Sequence, residues 1–118
     1  MTQPVSLQSC PRLSEAFAVF GKRWSAAIID LLLQRPARFG ELARAIPGLS
    51  QRVLSERLRE LEQAGIVGRR VDTGSPISVT YSLTPCGEKL RPAMDAMREW
   101  ADELPSGADG SGAVAARS

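Results

Sequence analysis

Gln51, Arg52, Ser55 and Arg59 stand at close helical spacing, and each could hydrogen-bond the edge of a nucleotide base. A guanidinium matches the two acceptors of guanine, and a carboxamide matches the donor–acceptor pair of adenine. Ser50, just ahead of them, can offer its hydroxyl to an orphan backbone N–H at a helix start, and such N–H groups suit a phosphate. Leu54, Leu58 and Leu61 recur at helical intervals and form a buried stripe, so Arg52, Ser55, Glu56 and Arg59 point away from it. Gly65 suits the left-handed position after a helix end. The stretch 50–65 reads as a capped helix with an Arg-bearing outer face.

Two β-type runs follow. Ile66 to Val71 reads as a strand, and Thr73-Gly74-Ser75-Pro76 as a loop. Ile77, Val79, Tyr81 and Leu83 then alternate with Ser78, Thr80 and Ser82, which predicts one buried and one wet strand face. A capped helix followed by a hairpin is the order of a winged helix-turn-helix, which lays one helix in the DNA major groove. Asp72 to Ser78 would be the wing. Arg69 and Arg70 precede it on opposite strand faces, and one of them is expected to reach phosphate. Gly74, Ser75 and Pro76 keep the tip slim enough for the minor groove. Lys22 and Arg38 are further phosphate candidates. Arg57, at the edge of the leucine stripe, either joins them or pairs with Glu41 or Glu62.

The charge distribution agrees. The 118-residue chain carries a formal net charge of only +2, yet from Arg35 to Val71 eight arginines stand against four glutamates. A local basic surface attracts phosphate even on a nearly neutral protein.

The remaining elements must position that helix and wing. Pro11 opens a short helix with Leu13, Ala16, Phe17 and Phe20 on one face, closed by Gly21. A second helix runs from about Trp24 to Gln34, with Trp24, Ala27, Ile28, Leu31 and Leu32 as its stripe and Pro36 as its stop. Phe39 to Ile46 makes a third, with Leu42, Ala43 and Ile46 inward, and Pro47-Gly48 is the turn into the fourth. Thr84-Pro85 starts one last helix whose apolar set is Leu90, Ala93, Met94, Met97, Trp100, Ala101 and Leu104. Few residues remain to cover that face, and the first helix has the same problem. Either the two pack within one subunit or a two-fold dimer buries both. Residues 1–9 read as a flexible arm, 10–104 as one folded domain, and 105–118 as a disordered Gly/Ser/Ala-rich tail.

Several function classes are excluded. A hydrophobic fraction of 43% and a charged fraction of 24% are ordinary for a globular protein. No histidine is present, so Cys/His zinc sites and Ser-His-Asp or Cys-His catalysis are ruled out. Glu56, Glu60 and Glu62 lie along one helix side, where carboxylates are usually solvated. The expectation is no enzyme, no metal and no cofactor. The first residues lack a signal peptide's features, and the longest apolar run, Ala26 to Leu33, is broken by Asp30 and too short for a bilayer. A cytoplasmic protein with no membrane partner is expected. Two cysteines are too few for a disulfide framework. Cys10 sits just ahead of a helix start and two residues from Arg12, both of which favour the reactive thiolate. Its alternative is an inert small residue at an interface. Cys86 lies in the first turn of the last helix.

These residues resemble the HxlR-type transcriptional regulators, bacterial winged-helix proteins related to the MarR group. The likeness is carried by Gly21-Lys22-Arg23-Trp24, Arg38-Phe39-Gly40-Glu41-Leu42, Ile46-Pro47-Gly48-Leu49-Ser50, Val53 to Leu61, Gly65-Ile66-Val67, Tyr81-Ser82-Leu83-Thr84 and Glu99-Trp100, across about residues 10–104. The fold it implies is mainly α with a small β-hairpin (α+β), with N- and C-terminal dimerisation helices. The resemblance implies a homodimeric regulator, usually a repressor, that binds double-stranded DNA at an inverted repeat. Leu13, Phe17, Phe20, Met94, Met97, Trp100 and Leu104 would form the dimer interface. It also implies, for a cysteine at the place of Cys10, sensing of quinones, aldehydes or oxidants. Cys86 departs from the family's usual pattern, as a resolving thiol or a simple substitution. Two other readings stay open. One is a ligand-responsive regulator with an inert Cys10, its pocket lined by Phe17, Trp24, Met94, Met97 and Trp100, residues that otherwise read as ordinary core. The other is a winged-helix protein-interaction module without a DNA site.

Overall fold

The computed structural model describes residues 6–105. Most of the expected arm, and all but the first residue of the expected tail, lie outside the described residues. The elements run α1 (Pro11–Phe20), α2 (Ser25–Gln34), β1 (Ala37–Arg38), α3 (Phe39–Ala45), α4 (Gln51–Gln63), β2 (Val67–Asp72), β3 (Ser78–Leu83), α5 (Pro85–Glu88) and α6 (Arg91–Ala101). The chain divides after Glu88 into two compact units.

In the first unit the core is a set of leucines and isoleucines from α2, α3 and α4. Ile28, Ile29, Leu42, Leu54, Leu58 and Leu61 are essentially fully buried, joined by Leu32, Leu33, Ile46 and Val67. The expected stripe of α2 is corrected by one position. Ile29 and Leu33 go inward with Ile28 and Leu32, while Ala27 and Leu31 are only half-buried. Trp24 explains the rotation. It does not belong to the helix but precedes it at φ +79°, a left-handed conformation that costs a bulky residue about 1–3 kcal/mol. Around it, the Arg57 Nε–H donates to the Arg23 carbonyl at 3.0 Å, and the Arg23 guanidinium lies 4.7 Å from the Trp24 ring centre. Gly48, itself at φ +85°, sits against the same ring.

The sheet has three strands in the order β1-β3-β2, all antiparallel. A hairpin alone was expected. Ala37 and Arg38 add a short third strand opposite Tyr81 and Thr80. The alternation expected on β3 is also corrected. Every residue of the strand is half-buried, and Ile77, expected to be inward, lies before the strand and is 71% exposed. As the central strand, with β1 and β2 along its edges and α2, α3 and α5 packed near it, β3 has no fully wet face.

The expected single last helix is two. α5 ends at Glu88 and α6 begins at Arg91, because Pro92 has no N–H to continue the ladder. Gly87 of α5 is buried with its Cα against the Ile66 carbonyl, so tightly that any Cβ would collide with it. That carbonyl accepts the Thr84 N–H at 2.9 Å and the Thr84 hydroxyl at 3.2 Å, which ties the end of β3 to the start of β2.

In the second unit, α6 buries Met94 but leaves Met97 and Trp100 about half exposed, with Leu104 beyond the helix similar. α1, in the first unit, buries no residue, and Leu13 and Phe17 are more than half exposed. Phe17, Met97 and Trp100 are therefore not ordinary core in the single chain. Phe20 is half-buried, edge-on to Phe17 at 6.1 Å.

Candidate nucleic-acid interface

α3, the turn at Pro47-Gly48 and α4 make a helix-turn-helix, and β2 and β3 with their loop make the wing. Ser50 caps α4 as expected, its hydroxyl accepting the Val53 N–H at 3.1 Å, and Gly65 closes the helix at φ +79°. Gln51, Arg52, Ser55 and Arg59 are all exposed on its outer face. They differ in freedom. The Arg52 guanidinium holds Glu56 at 3.0 Å, whereas Arg59 has no ion pair or hydrogen bond among the described residues. Arg59 is therefore presented to a partner without a competing carboxylate.

The glutamates expected to be solvated are all partnered. Glu60 accepts from Lys22 at 3.0 Å and from Arg57 at 3.3 Å, and the Lys22 hydrogen bond above all holds its carboxyl below the usual range. Lys22 thus stitches the segment before α2 to α4. Arg57, only 19% exposed, pairs with Glu60 and the Arg23 carbonyl, not with Glu41 or Glu62 as expected. Its role is to position α4.

The sheet register separates Arg69 from Arg70. Arg69 pairs with Tyr81, in the row that contains the buried Ala37, and its guanidinium lies 3.9 Å from Glu62 of α4. Arg70 pairs with Thr80, which on its other side pairs with Arg38. Directly opposed residues of antiparallel strands share a face. Arg38, Thr80 and Arg70 therefore form one row, with Arg70 held only loosely by Asp72 at 3.8 Å. Ser75 is exposed in the loop between the strands.

Sequence reasoning passed over the base of α3. Arg35 donates to both oxygens of Glu41, at 3.3 and 2.8 Å, and the Arg38 backbone N–H donates to the same carboxylate at 2.9 Å. These donors, Arg35 first, hold the Glu41 carboxyl down at about 2. The signal was present, since a glutamate three residues into a helix commonly reaches back to the cap residue.

Cys10 caps α1. It is exposed, and its sulfur accepts the Leu13 N–H at 3.4 Å. The expected help from Arg12 is redirected, because that guanidinium pairs with Glu15 at 3.0 Å. Cys86 is also a free, exposed thiol. Among the described residues no group of side chains could hold a metal ion, and no helix is long and apolar enough to cross a membrane.

Known proteins share this arrangement. The family described as HxlR-like helix-turn-helix matches residues 19–107. The chain is 44% identical over 95 residues to the HTH-type transcriptional regulator YodB of Bacillus subtilis, covering 80% of this chain and 85% of that one. It is 45% identical over 96 residues to the uncharacterized regulator YvaP of the same organism, covering 81% and 89%. The reduced form of YodB superposes with a TM-score of 0.74 at 43% identity, over 82% of this chain and 95% of that one. YodB is also known in diamide-treated and quinone-bound forms. The redox regulator HypR in its oxidized form superposes at 0.76 with 36% identity, over 82% and 99%. With the helix-turn-helix, its wing and these likenesses in agreement, the chain belongs to the HxlR family of HTH-type transcriptional regulators, DNA-binding proteins rather than enzymes.

Proposed function

We propose that the chain is a homodimeric repressor that reads an inverted repeat with α4 and is switched off by thiol chemistry at Cys10. The observation that carries the reading is the outer face of α4, where Gln51, Arg52, Ser55 and Arg59 are exposed beside a wing bearing Arg70 and Ser75. Gln51, Arg52, Ser55 and Arg59 contact bases; Ser50, with Arg38, Arg70 rather than Arg69, and Ser75, contacts phosphates, and Lys22 does so only by leaving Glu60. Residues 10–104 act as the working domain. Leu13, Phe17 and Phe20 of α1, and Met94, Met97, Trp100 and Leu104 in and after α6, pair with a second copy, which explains why most of them are exposed in the single chain. Two copies then present two α4 helices about one DNA turn apart.

The switch rests on likeness to YodB and HypR and on the place of Cys10. Its exposed sulfur bonds to an electrophilic quinone carbon, the ring taking up the thiol proton, or is oxidised by a peroxide or diazene oxidant that is itself reduced. Either change pulls the sulfur from the Leu13 N–H, loosens the first turn of α1, and so disturbs a dimer helix. Selection of duplexes from a random pool by the reduced protein tests the reader: an inverted repeat should emerge, and recovery of no preferred sequence would remove it. A mass increase on Cys10 after quinone treatment tests the thiol; an unmodified Cys10 would discard the switch and favour a ligand-responsive regulator.

A further inference from the structure

Lys22, Arg52, Arg57, Arg69 and Arg70 each lie within 4 Å of a carboxylate. Arg38 and Arg44 make no such pair among the described residues, and both line one open cleft of about 500 Å³ with Gly40 and Glu41. Glu41 acts on the Arg38 charge from a distance, but its hydrogen bonds are directed elsewhere. Both of its oxygens are taken by Arg35 and one also by the Arg38 backbone, as described above. Gly40 shapes the cleft: a Cβ there would press on the Arg44 guanidinium at 3.3 Å, so the missing side chain lets Arg44 lie back along α3. Arg38 belongs to the row with Thr80 and Arg70 on the wing sheet, and α3 leads through one short turn into α4.

We propose that this cleft holds a backbone phosphodiester of bound duplex DNA, with the Arg44 guanidinium as its principal donor and Arg38 as the second. A guanidinium fork matches two phosphate oxygens, and an open cleft lined by the end of β1 and by α3, apart from the α4 side chains that could read bases, suits the backbone rather than the base edges. The assignment rests on the DNA-binding reading and adds to it a residue that fixes position without reading sequence.

The test is the salt dependence of duplex binding by the full chain, for wild type, Arg44→Ala and Arg44→Lys, on the selected site and on random duplex. Arg44→Ala should weaken both by the same factor, about tenfold, and make the slope of log K against log salt shallower by about 1 per protomer. Arg44→Lys should restore most of the slope and part of the affinity. An unchanged melting temperature will show that the exposed Arg44 is not needed for folding. Wild-type binding with Arg44→Ala unchanged in affinity and slope would overturn this assignment alone. A loss confined to the selected site at unchanged slope would also overturn it, by making Arg44 a base reader. Failure of the wild type to bind any duplex would instead remove the DNA reading on which it rests.

Discussion

Arg38 and Arg70 lie on one face of the wing sheet, each directly across from Thr80 on the strand between them. Arg69, one residue away, belongs to the opposite row and leans on Glu62. On the proposed DNA-binding reading, this register favours Arg70 over Arg69 as the phosphate ligand, a choice that strand alternation alone left open.

Arg70→Ala should therefore weaken binding to every duplex and reduce the salt slope by about 1 per protomer. Arg69→Ala should leave the slope unchanged. Filter binding at several salt concentrations checks both, and the reverse pattern would put Arg69 rather than Arg70 on the phosphate.

On α4, Arg59, which has no ion pair among the described residues, should matter most. Arg59→Ala should cost about 1–3 kcal/mol on the selected site and relax its preference at one base pair. Arg52 must leave Glu56 before it can reach a base, so Glu56→Gln should strengthen binding. Equal affinity in all three proteins, measured by titration on the selected site, would remove α4 as the reader.

Glu41 supplies a pH signature. Its carboxyl titrates at about 2 in the folded chain against an ordinary 4.5. Because the folded value is the lower one, its contribution to stability is fully present above about 4.5 and is lost as pH falls toward 2. Carboxyl NMR should show the low value, and Arg35→Ala should move it back toward the ordinary range. An ordinary value in the wild type would mean that the bidentate pair does not persist in solution.

Gly87 has no room for a side chain. Gly87→Ala should destabilise the fold by about 1–3 kcal/mol, because its Cβ meets the Ile66 carbonyl that Thr84 holds in place. Urea unfolding measures this, and a neutral substitution would show that the strand end and α5 separate easily.

Local signals carried the reading helix. The Ser50 cap, the leucine stripe and Gly65 each act within a few residues, so their pattern survives without tertiary knowledge. What was missed depends on partners distant in sequence. Two residues, Ala37 and Arg38, show no periodicity and become a strand only because β3 lies beside them. The stripe of α2 was misplaced because Trp24 takes a left-handed backbone instead of starting the helix. The pairing of Lys22 with Glu60, 38 residues away, left no local signal in the sequence. The Pro92 break was legible from proline chemistry, but the continuous apolar pattern across it argued the other way.

The measurement that bears most directly on the account is fluorescence anisotropy of the protein on duplex from upstream of its own gene. It should be made reduced and then after diamide or a quinone, with Cys10→Ser in parallel. The account predicts tight binding by both reduced proteins, lost on treatment in the wild type and kept in Cys10→Ser. Binding indifferent to treatment in the wild type would contradict a switch at Cys10 while leaving the α4 reader in place.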